Sequence, residues 1–199
     1  MTPATVPHSN SIQLATYNAA ADLLERNLAG GRAGKVAVMD DSGSCSYSTL
    51  AERAGLFASL LRELEVQPEQ RIVLCLLDGI DFHTCFLGAI QAGIVPIPVN
   101  TMCSPIDYAW ILADSRAKAA IVSAARIADV VEAARIADWH GRMIVSGQCD
   151  GDLPMLADLL EATVPASVAA ATRSDDVCFW LYTSGSTGKP KVLCTFTAA

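Results

Sequence analysis

The chain has 199 residues, 52% of them hydrophobic and 18% charged, with a formal net charge of −7. This balance predicts a sizeable buried core and argues against a disordered chain, while the acidic excess argues against a generic nucleic-acid surface or an anionic-membrane patch. The seven cysteines form no Cys-x-x-Cys pair, are odd in number and sit mostly in apolar runs, which predicts reduced thiols in a cytoplasmic protein and neither a disulfide framework nor a zinc site.

The first ten residues carry no basic stretch and no apolar h-region, so no secretory signal is read there, and residues 1–16 are expected to form an N-terminal tail. Residues 18–29 are Ala/Leu-rich and helical in pattern. A strand is predicted at 36–39, a turn at 40–43 and a short partner strand near 45–47. Leu50, Ala54, Phe57, Leu61 and Leu64 recur at steps of four, three, four and three, the stripe of an amphipathic helix. Thr49 with Glu52 resembles a capping box for that helix, and Pro68 follows its end.

Residues 71–77 are a near-continuous apolar run, the pattern of a strand covered on both faces. Asp81 is the expected cap of a helix carrying Phe82, Phe86, Ala89 and Ile90, with Gly93 as its stop. Pro96 and Pro98 make 95–99 extended. His83, Gln91 and the same prolines interrupt the most apolar region, 82–99, making it a poor membrane span. Helices near 105–114, 124–138 and 155–161, and strands near 119–122, 142–145 and 177–182, complete the pattern. Such alternation implies an α/β fold: a mainly parallel sheet flanked by helices.

The final strand runs into Tyr182-Thr183-Ser184-Gly185-Ser186-Thr187-Gly188-Lys189-Pro190-Lys191. Glycines let successive backbone N–H groups converge on one oxyanion, hydroxyls add donors, and two lysines add charge, so the segment reads as a phosphate-binding loop. A Walker A loop would need glycine where Thr183 stands and Ser or Thr where Pro190 stands. A flexible Ser/Gly linker would not be expected to follow directly on Phe179-Trp180-Leu181-Tyr182.

This ten-residue run resembles the phosphate-loop signature of the adenylate-forming (AMP-binding) enzymes: acyl- and aryl-CoA ligases, peptide-synthetase adenylation domains and luciferases. Residues 78–82, 88–101, 107–112 and 176–182 resemble the benzoate/4-hydroxybenzoate–CoA ligase branch, and the likeness runs from about Tyr17 to Lys191. The resemblance implies that 17–199 form part of an AMP-binding N-terminal domain, without the C-terminal domain. It implies a two-step ligation in which an aromatic carboxylate takes AMP from ATP and CoA then displaces AMP. Thr183, Ser184, Gly185, Ser186, Thr187, Gly188, Lys189 and Lys191 would grip the β- and γ-phosphates. ATP with Mg2+ and CoA would be substrates, no cofactor would be tightly bound, and a homodimer stays open for a full-length enzyme, whose setting would be aromatic-compound degradation.

After Lys191 the family continues with glycine, two apolar residues and His-x-His, whereas this chain reads Val192-Leu193-Cys194-Thr195-Phe196-Thr197. Restoring one G ahead of codons for that string permits Gly-x-Leu-His-x-His, so a one-base frame shift is expected, checkable in the nucleotide sequence. The magnesium and ribose carboxylates, the acid pocket and the adenylation lysine would all lie further on, so the chain alone is expected to be inactive, with an unpaired sheet edge. No catalytic or metal residue is assigned. His83, Asp78, Asp81, Tyr108, Trp110, Cys75 and Cys85 read as packing, cap or turn residues. A fatty-acyl-CoA ligase, a peptide-synthetase adenylation domain, a non-catalytic nucleotide-binding module and a pseudogene product remain as alternatives.

Overall fold

The computed structural model describes residues 16–165, 168–183 and 191–196. Helix α1 (Ala19–Asn27) leads through a kinked turn into a hairpin of β1 (Val36–Asp40) and β2 (Gly43–Ser46). Helix α2 (Tyr47–Glu63), β3 (Arg71–Cys75), α3 (Ile80–Gln91) and β4 (Val95–Pro98) follow. Then come α4 (Pro105–Ser115), β5 (Ala119–Ser123), a short 3-10 turn, α5 (Ile127–Ile136), β6 (Arg142–Ser146) and α6 (Leu156–Ala162). A second hairpin, β7 (Val177–Thr183) with β8 (Lys191–Phe196), ends the described chain.

The centre is a four-stranded parallel sheet in the order β4-β3-β5-β6. Side chains of a strand alternate between its faces, and the apolar run at β3 is divided accordingly. Ile72, Leu74 and Leu76 join α2, α3 and α6 in one core, with Phe57, Leu61 and Ile121. Val73 and Cys75 join α4 and α5 in the other, with Tyr108, Leu112 and Val122. The expected two-sided burial is therefore present. A third, smaller core seats α1 and the β1–β2 hairpin on α2 and α3. The sheet is parallel as expected, and the two hairpins are antiparallel additions.

Two cap expectations are corrected. Helix α2 begins at Tyr47, and its N-cap is Ser46, whose Oγ accepts the Thr49 N–H at 3.2 Å; Thr49 lies within the first turn. The apolar stripe marks where the helix meets the core, and its first turn precedes that contact. Helix α3 begins at Ile80 with Gly79 as N-cap, which has no side chain to offer. Asp40 at the end of β1 supplies the missing acceptor, its Oδ2 taking the Ile80 N–H at 2.8 Å. A Cβ at Gly79 would come within 2.8 Å of that oxygen, so glycine makes room for the borrowed cap. Asp81 instead pairs with Arg53 Nη2 at 2.7 Å and accepts from Ser146 Oγ at 2.7 Å, tying α3 to α2 and β6.

The Ile80 N–H, followed by the Ser42 hydroxyl, holds the Asp40 carboxyl below its ordinary range. A carboxyl whose folded pKa is lowered stabilises the fold above its unfolded pKa, and that contribution is lost as pH falls through the folded value. Asp40→Asn is therefore expected to flatten the acid limb of a stability–pH curve, measured as urea midpoints from neutral pH down through the unperturbed Asp value of roughly 3.9.

At the outer edge, Val95 and Val99 donate their N–H groups to Gln70 O and Leu74 O on the β3 side. By alternation, Pro96 and Pro98 occupy the positions whose N–H groups would point away from the sheet. The β7–β8 hairpin packs against β4 without forming a ladder with it.

Candidate functional site

The structure places the glycine- and hydroxyl-rich loop as the connection between β7 and β8, with Thr183 directly opposite Lys191 in the ladder. Ser184, Gly185, Ser186, Thr187, Gly188 and Lys189 lie outside the described residues. Of the eight predicted phosphate-binding positions, Thr183 and Lys191 are thus the two that the structure brings together, as the paired ends of the loop.

Alternation along β7 fixes this stem. Trp180 and Tyr182 lie over the α4/α5 core, whereas Cys178 and Phe179 both reach the α1–α3 core because the register shifts between Val177 and Phe179. The Arg71 guanidinium stands 5.3 Å from the Trp180 ring centre, a cation–π contact. Its Nε and Nη1 meanwhile donate to Ser115 O at 2.8 Å and Glu69 O at 3.3 Å. The Tyr182 hydroxyl donates to Asp114 Oδ2 at 2.8 Å, and its ring meets Trp110 edge-on at 5.4 Å. Burial, and then the Asp114 carboxylate, push the Tyr182 phenol above its ordinary value, so it remains a protonated donor. Phe179 meets Phe86 at 5.3 Å on the opposite side. Three anchors on α3, α4 and β3 thereby set the strand that delivers the loop.

Removing one anchor tests this arrangement. Tyr182→Phe deletes a hydrogen bond to a carboxylate, a loss of roughly 1 kcal/mol at this partly exposed position. Amide exchange in β7 and β8 is expected to quicken while exchange in β3 stays unchanged; equal quickening in β3 would mean the anchor is global.

A crevice of about 650 Å3 lies at the carboxyl ends of β3, β5 and β6, lined by Asp40, Arg53, Asp78, Asp81, Ser123 and Ser146. The connection from β3 leads to β4 on one side and that from β5 leads to β6 on the other, so this is the switch point where open α/β sheets characteristically bind ligands. Several of its polar groups serve the fold: Ser123 Oγ accepts the Leu77 N–H at 2.9 Å, and Arg53, Asp81 and Ser146 are bonded to one another.

The remaining sequence candidates take the plain roles expected of them. His83 Nδ1 lies 2.8 Å from Gly79 O, a contact within its own helix. Tyr108 is buried and donates to Asn100 O at 2.9 Å. Burial pushes the Cys75 and Cys85 thiols up, away from thiolate reactivity. Among the described residues no group of three or more His, Cys, Asp or Glu is placed to hold a metal ion, and no helix is long and apolar enough to cross a membrane. Sequence reasoning missed Arg71 and Asp114. Neither carries a local signal, since each acts on a strand distant in the chain.

Comparison with known proteins gives a consistent result. The AMP-binding enzyme family matches residues 24–196. The chain is 46% identical over 176 residues to a benzoate–CoA ligase of Thauera aromatica, covering 88% of this chain and 33% of that protein. It is 39% identical over 178 residues to a 4-hydroxybenzoate–CoA/benzoate–CoA ligase of Rhodopseudomonas palustris, covering 89% and 33%. The crystal structure of a benzoate CoA ligase from Burkholderia xenovorans superposes with a TM-score of 0.82 at 42% identity, covering 91% of this chain and 35% of that one. The chain thus spans about a third of the length of the relatives it matches. With the loop, the sheet and these similarities together, the chain belongs to the AMP-binding enzyme family, and its likeness runs to the benzoate–CoA ligases within it.

Proposed function

We propose that this chain supplies the ATP-phosphate-binding part of an enzyme that joins an aromatic carboxylate to coenzyme A. The observation that carries the proposal is the ten-residue run from Tyr182 to Lys191, whose ends Thr183 and Lys191 pair in the β7–β8 ladder, in a chain 46% identical to a benzoate–CoA ligase. In the proposed reaction a carboxylate oxygen attacks the α-phosphorus of ATP and the bond to pyrophosphate breaks. The CoA thiolate then attacks the acyl carbon, and AMP departs. Negative charge grows on the departing pyrophosphate, and fixed N–H groups and cations stabilise it without reorganising. Thr183, Ser184, Gly185, Ser186, Thr187, Gly188, Lys189 and Lys191 are assigned this role, with Mg2+ accompanying ATP. The polypeptide of 199 residues is assigned no ligase activity by itself, and the setting is a soluble cytoplasmic enzyme.

The test is a chimera joining residues 1–191 to the matching remainder of the Thauera aromatica ligase. Benzoate-dependent release of AMP and formation of benzoyl-CoA are expected from the chimera, and neither from the 199-residue polypeptide. A folded chimera without benzoate-dependent AMP release would sink the reading, and benzoyl-CoA made by the 199-residue polypeptide would overturn the inactivity assigned to it.

A further inference from the structure

The opposite end of the sheet, where the strands begin, holds a depression of about 500 Å3. Arg116, Lys118, His140 and Arg142 line it, with Trp139 as an apolar wall and Glu65 as the one lining carboxylate. Lys35, Arg116, Lys118 and Arg142 are the described lysine and arginine side chains that make no hydrogen bond or ion pair with the rest of the protein. All of these except Lys35 converge on this one depression. On a chain of net charge −7, three unpaired lysine and arginine side chains gather in one depression, against Glu65 as its single lining carboxylate.

Helix dipoles offer a simpler account, because α2, α4 and α5 all end here and cations favour helix C-termini. The helix ends are already closed by backbone, however. Val66 N–H donates to Leu61 O and Glu65 N–H to Arg62 O, and Trp139 N–H donates to Ala134 O and Asp138 N–H to Arg135 O, which are Schellman pairs. Arg116 N–H caps Ala113 O. The last-turn carbonyls therefore do not need the three side chains. The Trp139 indole donates to Ala117 O at 2.7 Å, which holds the ring in place as a wall between the cations.

We propose that this depression binds a small, multiply charged oxyanion of the phosphate type, independently of the β7–β8 loop. Two guanidinium forks and an ammonium around one concavity match an anion of two to four charges, and guanidinium pairs bind such oxygens bidentately. The site does not depend on the proposed ligase reading.

The probe is inorganic pyrophosphate, titrated into the 15N-labelled 199-residue chain. Saturable shifts of the Trp139 indole and Lys118 amide resonances are expected. The triple variant Arg116→Asn, Lys118→Gln, Arg142→Gln should weaken binding at least tenfold, asparagine being chosen because residue 116 has a left-handed backbone (φ 52°). Lys189→Gln with Lys191→Gln should leave these shifts intact, which separates this site from the loop. No saturable shift at Trp139 and Lys118, the same shifts from sodium chloride at matched ionic strength, or shifts that persist in the triple variant would each overturn the proposal.

Discussion

Gly88→Val is expected to destabilise the chain severely. Helices α2 and α3 cross at this glycine, and a Cβ there would lie 2.6 Å from Ala54 O and 3.0 Å from Phe57 Cβ and Cδ1. Ala54 and Phe57 are both fully buried, and the closest atom belongs to the backbone, so nothing nearby yields cheaply. Gly88→Ala gains helix propensity worth about 1 kcal/mol but meets an overpacking cost of typically 1–3 kcal/mol, for a net loss. The two further methyl groups of valine raise the cost beyond about 3 kcal/mol, a large share of the 5–15 kcal/mol typical of a domain. Gly55 in α2 provides the contrast, since a Cβ there meets nothing within 4 Å. Gly55→Ala should stabilise by roughly 0.5–1 kcal/mol. Urea midpoints followed by circular dichroism separate the cases, and a midpoint for Gly88→Ala above the parent would contradict the close crossing.

The second large effect concerns catalysis in the proposed chimera. Lys189→Ala and Lys191→Ala should each lower kcat by roughly 10²–10³, the cost of removing one preorganised group that meets transition-state charge. The effects should be smaller than multiplicative when combined, because the proposed function assigns both lysines to one leaving group. Steady-state kinetics at saturating ATP and benzoate check this. A rise in KM for ATP with kcat unchanged would show that the lysines bind ground-state ATP only and do not act on the departing pyrophosphate.

Much of the fold was legible because its signals are local. Past Arg71 the run at 72–77 has no polar residue to face solvent, which implies cover on both faces, and Ile72/Leu74 and Val73/Cys75 do divide between two cores. Prolines 96 and 98 forbade helix, and β4 lies there. Helix caps were less legible where the acceptor comes from elsewhere: the Asp40 that caps α3 sits in β1. The proposed phosphate loop stands out in the sequence by its glycine, hydroxyl and lysine content. Its supports did not, because Arg71 reads as the start of an apolar strand and Asp114 as the end of a helix. Residues 192–196, read from sequence as a departure from the family, pair with β7 as β8.

The outward prolines of β4 bear on how the molecule breathes. That edge presents no amide donors over Pro96 and Pro98, so a neighbouring strand cannot zip onto it, and unwanted pairing with another chain is discouraged there. Among the described residues, the side chains that hold the β7–β8 hairpin include the Tyr182 and Trp180 anchors on one side and Phe179 on the other. Detaching it breaks no rung of the parallel sheet. The hairpin is thus a separate cooperative unit, able to open at a free energy below that of global unfolding.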